Sequence, residues 1–164
     1  MRLDPKQIAV EYYFGDLQYW KLPKLACDAL EAGWDGPALR RLAGLATTRD
    51  GSEIRADDLR TDEIDSAFRE MGVNAPISKD EARLILAIES ASRAMDGSSN
   101  IFDEATHVRI HLCWFSDPPD LLSRIVKLSE EAKHAPRSQW ARIEADLKNA
   151  FADLLMFKKV HRSE

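Results

Sequence analysis

Cysteine is scarce in this 164-residue sequence, which contains only Cys27 and Cys113. Two cysteines cannot build the disulfide framework of a small secreted domain, and both lie in apolar stretches. We therefore expect two buried thiols in a reducing compartment, and the sequence leaves open whether they ever pair.

Long apolar runs are missing too: the longest, residues 84–88, is far short of the ~20 residues that cross a bilayer. Residues 1–5 lack a signal-peptide pattern, so we expect a cytoplasmic protein without a membrane partner.

Basic residues are outnumbered, with 23 Lys and Arg against 28 Asp and Glu and a formal net charge of −5. An acidic chain is repelled by phosphate backbones, so nucleic acid is not expected as a direct partner. The same charge favours a basic protein partner.

The motifs that mark common enzymes are also absent. The sequence has no Gly-rich phosphate loop and no Gly-x-Ser-x-Gly elbow, and neither cysteine has the local signature of a catalytic nucleophile. We predict no cofactor. Whether the chain is an enzyme stays open, and the non-enzymatic interpretation is favoured.

Helical signals run through the whole chain. Apolar residues recur at spacings of three and four, and Asp, Ser, Pro and Gly stand where helices begin and end. The sequence predicts an all-α protein, an irregular orthogonal bundle of about seven to eight helices in a single domain, residues 1–164. The predicted helices cover residues 4–14, 16 or 19 to 32, 37–45, 56 or 61 to 71, 82–95, 101–115, 119–134 and 138–158.

The segment 101–115 fits two patterns. From His107 to Phe115 the apolar residues alternate as in a strand, whereas Ile101, Val108 and Leu112 belong to a helical stripe. A lone strand cannot satisfy its backbone groups, and no second strand is evident. The helix is therefore the preferred interpretation, with the strand left open.

Apolar stripes also predict core residues. The fifth helix is apolar on nearly all sides, as is typical of a central helix. The last helix carries a long stripe that starts at Trp140. We predict that the core includes Leu86, Ile88, Leu112, Leu147 and Leu154.

Residues 28–45, DALEAGWDGPALRRLAGL, carry a pattern in which a helix ends in a glycine, a turn holds Asp and Pro, and the next helix ends in Leu-Ala-Gly-Leu. This stretch resembles small, uncharacterised bacterial all-helical proteins. The resemblance implies a bacterial origin and a helical fold, and it carries no activity. Gly33 is expected to cap a helix and Gly44 to allow close helix approach. A DNA-reading helix would need more basic residues than Arg40 and Arg41.

Asp103, His107 and His111 are spaced four residues apart and would line one helical face. Two histidines at this spacing can reach one metal ion, with the carboxylate as a third ligand. The zinc-protease signature, with Glu directly after the first His, is missing. Hydrogen-bonded histidines beside a buried stripe are therefore favoured, and we predict no metal. A metal-binding protein or metal-dependent enzyme that uses these three residues is the alternative function.

Five aromatic residues fall within residues 12–20, before and after Gly15. Such a cluster is typical of core and helix packing, and a binding platform is the alternative interpretation.

Residues 50–65 are the densest acidic stretch, with seven acids against Arg55 and Arg60. Acids at a helix start favour the positive end of its dipole, so a solvated helix start is the preferred interpretation. The functional alternative is a partner-binding surface on a non-enzymatic interaction domain, an immunity protein or antitoxin that neutralises a basic bacterial toxin. If the fourth helix begins near Ala56, Asp58, Asp62 and Asp65 share a face. The predicted partner-binding residues are Asp57, Asp58, Asp62, Glu63 and Asp65.

Overall fold

The computed structural model describes residues 3–48, 54–114 and 117–161. The structure is 77% helical, and within these residues it has eight α-helices and no strand, which confirms the all-α prediction. The helices are α1 Pro5–Phe14, α2 Leu22–Glu31, α3 Pro37–Thr48, α4 Thr61–Glu70, α5 Lys79–Asp96, α6 Ile101–His107, α7 Asp120–His134 and α8 Trp140–His161. Short 3-10 turns cover Tyr19–Lys21, Ala56–Asp58 and Arg137–Gln139.

Local capping residues explain most helix boundaries. The side chain of Asp4 accepts hydrogen bonds from the backbone N–H groups of Lys6 and Gln7, at 3.0 and 3.2 Å. Ser78 does the same for the N–H of Glu81, at 3.1 Å. These contacts satisfy donors that have no partner inside the helix. Gly15 ends α1 with a φ of 107°, a conformation that glycine adopts without strain.

The ambiguous segment is helical, but it changes type. After α6 ends at His107, residues Val108–Leu112 form a π-helix. Val108 and Leu112 are buried, while Ile110 is 45% exposed and Trp114 is 61% exposed. The strand-like alternation therefore arises from apolar side chains that point to solvent, not from a strand. Phe115 lies outside the described residues.

The chain divides into two compact units, Met1–Ala82 and Arg83–Glu164. The prediction of a single domain stays a prediction, and each unit is described by itself. Cys27 belongs to the first unit and Cys113 to the second, and both thiols are free. Cys113 is buried as predicted, whereas Cys27 is only partly buried.

The core of the first unit is built from small side chains where α2, α3 and α4 pack. Leu39 and Leu42 of α3 are the large members, at 1% and 3% exposure. The remaining members are alanines, which let helices approach closely. They are Ala26, Ala29, Ala38, Ala43 and Ala67.

The core of the second unit uses larger side chains. The five predicted core residues are all buried: Leu86 and Ile88 at 8% exposure, Leu112 at 3%, Leu147 at 0% and Leu154 at 1%. Their burial confirms the assignment of the apolar faces. Trp140 departs from the predicted α8 stripe, because it is 46% exposed at the first position of the helix.

Glu70, the last residue of α4, caps the start of α3. Its carboxylate oxygens accept hydrogen bonds from the N–H groups of Ala38 and Leu39, at 3.0 and 2.8 Å. Gly36 makes room for this contact, since a Cβ built there would lie 2.1 Å from Glu70 Cδ. Gly44 has no such role: a Cβ there meets nothing within 4 Å, so the prediction of close approach at Gly44 is wrong.

We expect Glu70→Ala to lower the free energy of unfolding by about 1–2 kcal/mol, because two donors at the positive end of α3 lose their partner. Gly36→Ala should have a similar cost by displacing the carboxylate, and the double variant should cost less than the sum of the two. Chemical denaturation followed by circular dichroism measures all three. The matched control is Gly44→Ala, which should stabilise by about 0.5–1 kcal/mol in open helical space. Additive losses at Gly36 and Glu70 would contradict the cap.

Candidate functional site

The acidic segment divides between two elements. Asp57 and Asp58 lie in the 3-10 turn Ala56–Asp58, and the other three predicted residues lie on α4. Because α4 begins at Thr61, the condition for a shared helical face of Asp58, Asp62 and Asp65 is not met. Asp50 and Glu53 of the same stretch lie outside the described residues.

Within this segment, several acids bind groups of their own chain. Asp58 accepts a hydrogen bond from the backbone N–H of Arg55 at 3.0 Å. Arg60 donates to both carboxylate oxygens of Asp62, at 3.1 and 2.9 Å. Glu63 accepts from Arg41 of α3 at 2.7 Å and is only 22% exposed. Asp58 and Glu63 therefore hold local structure together, whereas Asp62 stays 68% exposed.

Asp65 has a structural partner on α1. The hydroxyl of Tyr13 donates to its carboxylate at 2.5 Å, across 52 residues of sequence. Burial, and then this hydrogen bond, raise the pKa of Tyr13 far above its usual value, so the phenol remains a donor. Asp65 thus fixes α1 on α4. Asp57 and Asp62 are the two predicted residues that are exposed to solvent.

The aromatic cluster splits into a packed part and an exposed part. Tyr12 and Tyr13 pack on Phe68 of α4, with ring centroids 5.8 and 5.7 Å from its ring. Tyr19 and Trp20 instead contact each other edge to face at 5.2 Å and are 36% and 42% exposed. The packing interpretation therefore fits the first part, and the second part presents two rings to solvent.

Trp20 lies close to the acidic segment. It lines a surface groove with Pro23 and Cys27 of α2, and Ile54 lines the same groove. Asp57 follows Ile54 by three residues, a span of at most about 10 Å of chain. The exposed aromatic pair and the start of the acidic segment thus belong to one region of the first unit. Two lysines also line the groove, Lys21 and Lys24.

The structure stacks the two histidines on each other, and Asp103 does not complete a metal site with them. The rings of His107 and His111 stack with centroids 4.9 Å apart, and His107 Nδ1 lies 3.1 Å from Ser90 Oγ of α5. Asp103 lines a separate groove with Arg109 and residues of α7. Over residues 3–48, 54–114 and 117–161, no three His, Cys, Asp or Glu side chains are arranged to hold a metal ion.

Cys113 lies in the second unit near Arg83. Burial raises the pKa of its thiol above the usual value, and the positive charge of Arg83 offsets only part of this shift. A thiol of raised pKa is a poor nucleophile at neutral pH. This agrees with the interpretation of Cys113 as a buried structural residue.

Among the described helices, none is both long and apolar enough to span a membrane. No protein-family model, no curated protein and no solved structure matches this chain.

Proposed function

We propose that this chain is a non-enzymatic protein-interaction domain whose first unit binds a basic protein. The observation that carries the proposal is the exposed edge-to-face pair of Tyr19 and Trp20. Tyr and Trp are the residues that most often dominate binding energy at protein interfaces. Each offers a large, rigid contact area, and both rings are partly exposed to solvent.

The charge of the neighbouring segment supports a basic partner. Asp57 and Asp62 are exposed, and the chain as a whole carries a net charge of −5. Exposed charges at the rim of an interface act mainly on the association rate, because they attract an oppositely charged partner before contact. Asp58, Glu63 and Asp65 contribute by holding the segment in place, since each is bound to its own chain.

The finer form of the proposal is an immunity protein or antitoxin that neutralises a basic bacterial toxin. Toxins that act on nucleic acid need a basic surface, and an acidic inhibitor that covers this surface gains attraction and specificity. Aromatic residues would then supply the contact energy, while the acids set the encounter rate. The bacterial assignment comes from the sequence resemblance at residues 28–45.

Two variants test the two parts of this surface. We expect Trp20→Ala to weaken binding about 30-fold, mainly through faster dissociation, if Trp20 is an interface anchor. The double variant Asp57→Lys, Asp62→Lys should slow association by about tenfold or more at low salt and less at high salt. The partner is first captured from an extract of the native host and purified, and rates are then measured by surface plasmon resonance.

The matched control is the double variant Asp117→Lys, Asp153→Lys, which makes the same change in net charge at exposed positions of the second unit. Asp65 is left intact in both, because its loss would disturb α1 rather than the surface. Circular dichroism verifies the fold of every variant. Equal rates and equal salt dependence for the two double variants would refute a role for Asp57 and Asp62, and an unchanged affinity of Trp20→Ala would refute the anchor.

A further inference from the structure

The second unit contains a groove that the proposed function does not use. It lies between α6 with its π-helical extension and α7, and Trp140 at the start of α8 borders it. Its volume is about 510 Å³. Sites for small molecules have volumes of roughly 300–1,000 Å³, and a few polar groups on an otherwise apolar lining fix the ligand.

One end of the groove is aromatic. The rings of Phe102 and Trp140 lie 5.6 Å apart, and Trp140 is 46% exposed. The indole Nε1 of Trp140 donates to the carbonyl oxygen of Ala135 at 3.2 Å, so its polar atom is already used. What remains is a fixed aromatic surface, on which a planar apolar group can stack.

The other end is cationic, and Arg109 of the π-helical segment forms it. Its Nε donates to Ser129 Oγ at 3.1 Å, and its Nη1 lies 2.9 Å from Glu130. Ser129 is 4% exposed and the Arg109 side chain is 15% exposed. The guanidinium is therefore largely buried and is fixed in position by these two contacts. A guanidinium has five N–H donors in a planar fork, which is more than these two partners occupy. Such a fork suits a carboxylate.

The spacing of the two ends gives the ligand an orientation. Phe102 and Arg109 are seven residues apart, about 10 Å along a helix at ~1.5 Å per residue. Asp103 lines the groove beside Phe102 and repels an anion from the aromatic end. Lys133 also lines the groove from α7, and its Nζ lies 3.9 Å from the same Glu130 that pairs with Arg109, so two cations share one acid at this end. A π-helical turn within a helix is frequently found at functional sites, and here it carries Arg109.

We propose that this groove binds a small aromatic carboxylate, with its ring on Trp140 and Phe102 and its carboxylate on Arg109. The ligand class follows from the two ends: a fixed pair of rings selects a planar apolar group, and a held guanidinium selects an anion at the far end. The inference does not depend on the interaction surface of the first unit.

Calorimetric titration of the whole protein with three probes tests the ligand class without any substitution. The probes are 4-phenylbutanoate, its uncharged amide 4-phenylbutanamide, and hexanoate, which lacks the ring. We expect 4-phenylbutanoate to bind at millimolar concentration or below, and the other two to bind about 10- to 100-fold more weakly, since each lacks one of the two contacts. No binding of 4-phenylbutanoate, or equal binding of its amide, would overturn the proposal.

Three variants then locate the site. Arg109→Lys keeps the charge but loses the planar fork, and Trp140→Leu keeps apolar volume but loses the ring; each should weaken 4-phenylbutanoate binding about tenfold or more. The control is Arg124→Lys, an exposed arginine of α7 that pairs with Asp153 outside the groove, and it should leave binding unchanged. Asp103→Asn should tighten binding, because a like charge is removed. Equal affinity of the Arg109 and Arg124 variants would place the probe elsewhere and refute the assignment.

Discussion

Phe151→Ala should lower the free energy of unfolding by about 3–5 kcal/mol, which is among the largest effects that we expect from one substitution in this chain. Phe151 is fully buried and is the largest of the fully buried side chains among the described residues. Its removal combines the loss of apolar burial with the cavity that the surrounding helices cannot fill. Urea denaturation followed by circular dichroism measures the change.

The same helix provides the control. Met156 lies on α8 and is 57% exposed, so Met156→Ala should change stability by no more than about 0.5 kcal/mol. The predicted core residues Leu147 and Leu154 should each cost about 2–5 kcal/mol when truncated to alanine. Losses below about 0.5 kcal/mol at most of these buried positions would mean that the assigned faces of α8 are wrong.

Features that depend on neighbouring residues could be predicted from the sequence. The start of α1 at Pro5 and its end before Gly15 follow from Asp4 and from a residue that tolerates positive φ. The stripe through Leu147 and Leu154 gave the inward face of α8, although Phe151, which lies between them at spacings of four and three, was not recognised as its largest member. In these cases the physical cause lies within one or two helical turns.

Features that depend on distant residues could not be predicted. Glu70 caps α3 from 32 residues away, and Tyr13 binds Asp65 across 52 residues. No local pattern distinguishes these acids from the exposed Asp57, so the sequence offers all five acids of residues 57–65 as candidates for one partner-binding surface. The groove at Arg109 was missed for the same reason, because Ser129 and Trp140 reach it from other helices. In the sequence, Trp140 is spaced like a member of the buried α8 stripe, and no local pattern indicates that it is exposed at the first position of the helix.

The second large effect is expected at a partly buried ion pair between α5 and α6. Arg93 donates through Nε and Nη2 to the two carboxylate oxygens of Glu104, both at 2.9 Å. Arg93 also donates to the fully buried Ser90 hydroxyl at 3.2 Å. Glu104 is 6% exposed, whereas the Arg93 side chain is 44% exposed. Little water reaches the Glu104 carboxylate, so its charge is stabilised mainly by these hydrogen bonds, whereas water also solvates the Arg93 guanidinium.

Glu104→Gln should lower the free energy of unfolding by roughly 2–3 kcal/mol at neutral pH, because a two-contact charged pair is replaced by a neutral amide in the same volume. The partial exposure of Arg93 keeps this cost below that of a fully buried pair, since water can solvate the guanidinium. The control is Glu144→Gln on the surface of α8, where the pair with Lys148 contributes about 0.3–0.5 kcal/mol.

The pH dependence of the stability difference between the wild type and Glu104→Gln tests whether the charge of Glu104 is its cause. Burial raises the pKa of Glu104, but hydrogen bonds from Arg93, Ser99 and Ser90 outweigh it, so the pKa in the folded protein lies below the ordinary value of 4.5. A group with a lowered pKa stabilises the folded state above its unfolded pKa, and this contribution is lost as the pH falls through the folded pKa. The stability gap between the wild type and Glu104→Gln should therefore be constant at neutral pH and shrink below about pH 4.5. Denaturation curves of both proteins between neutral and acidic pH measure this gap. A gap that stays the same at acidic pH would show that the charge of Glu104 does not contribute to the stability of the fold.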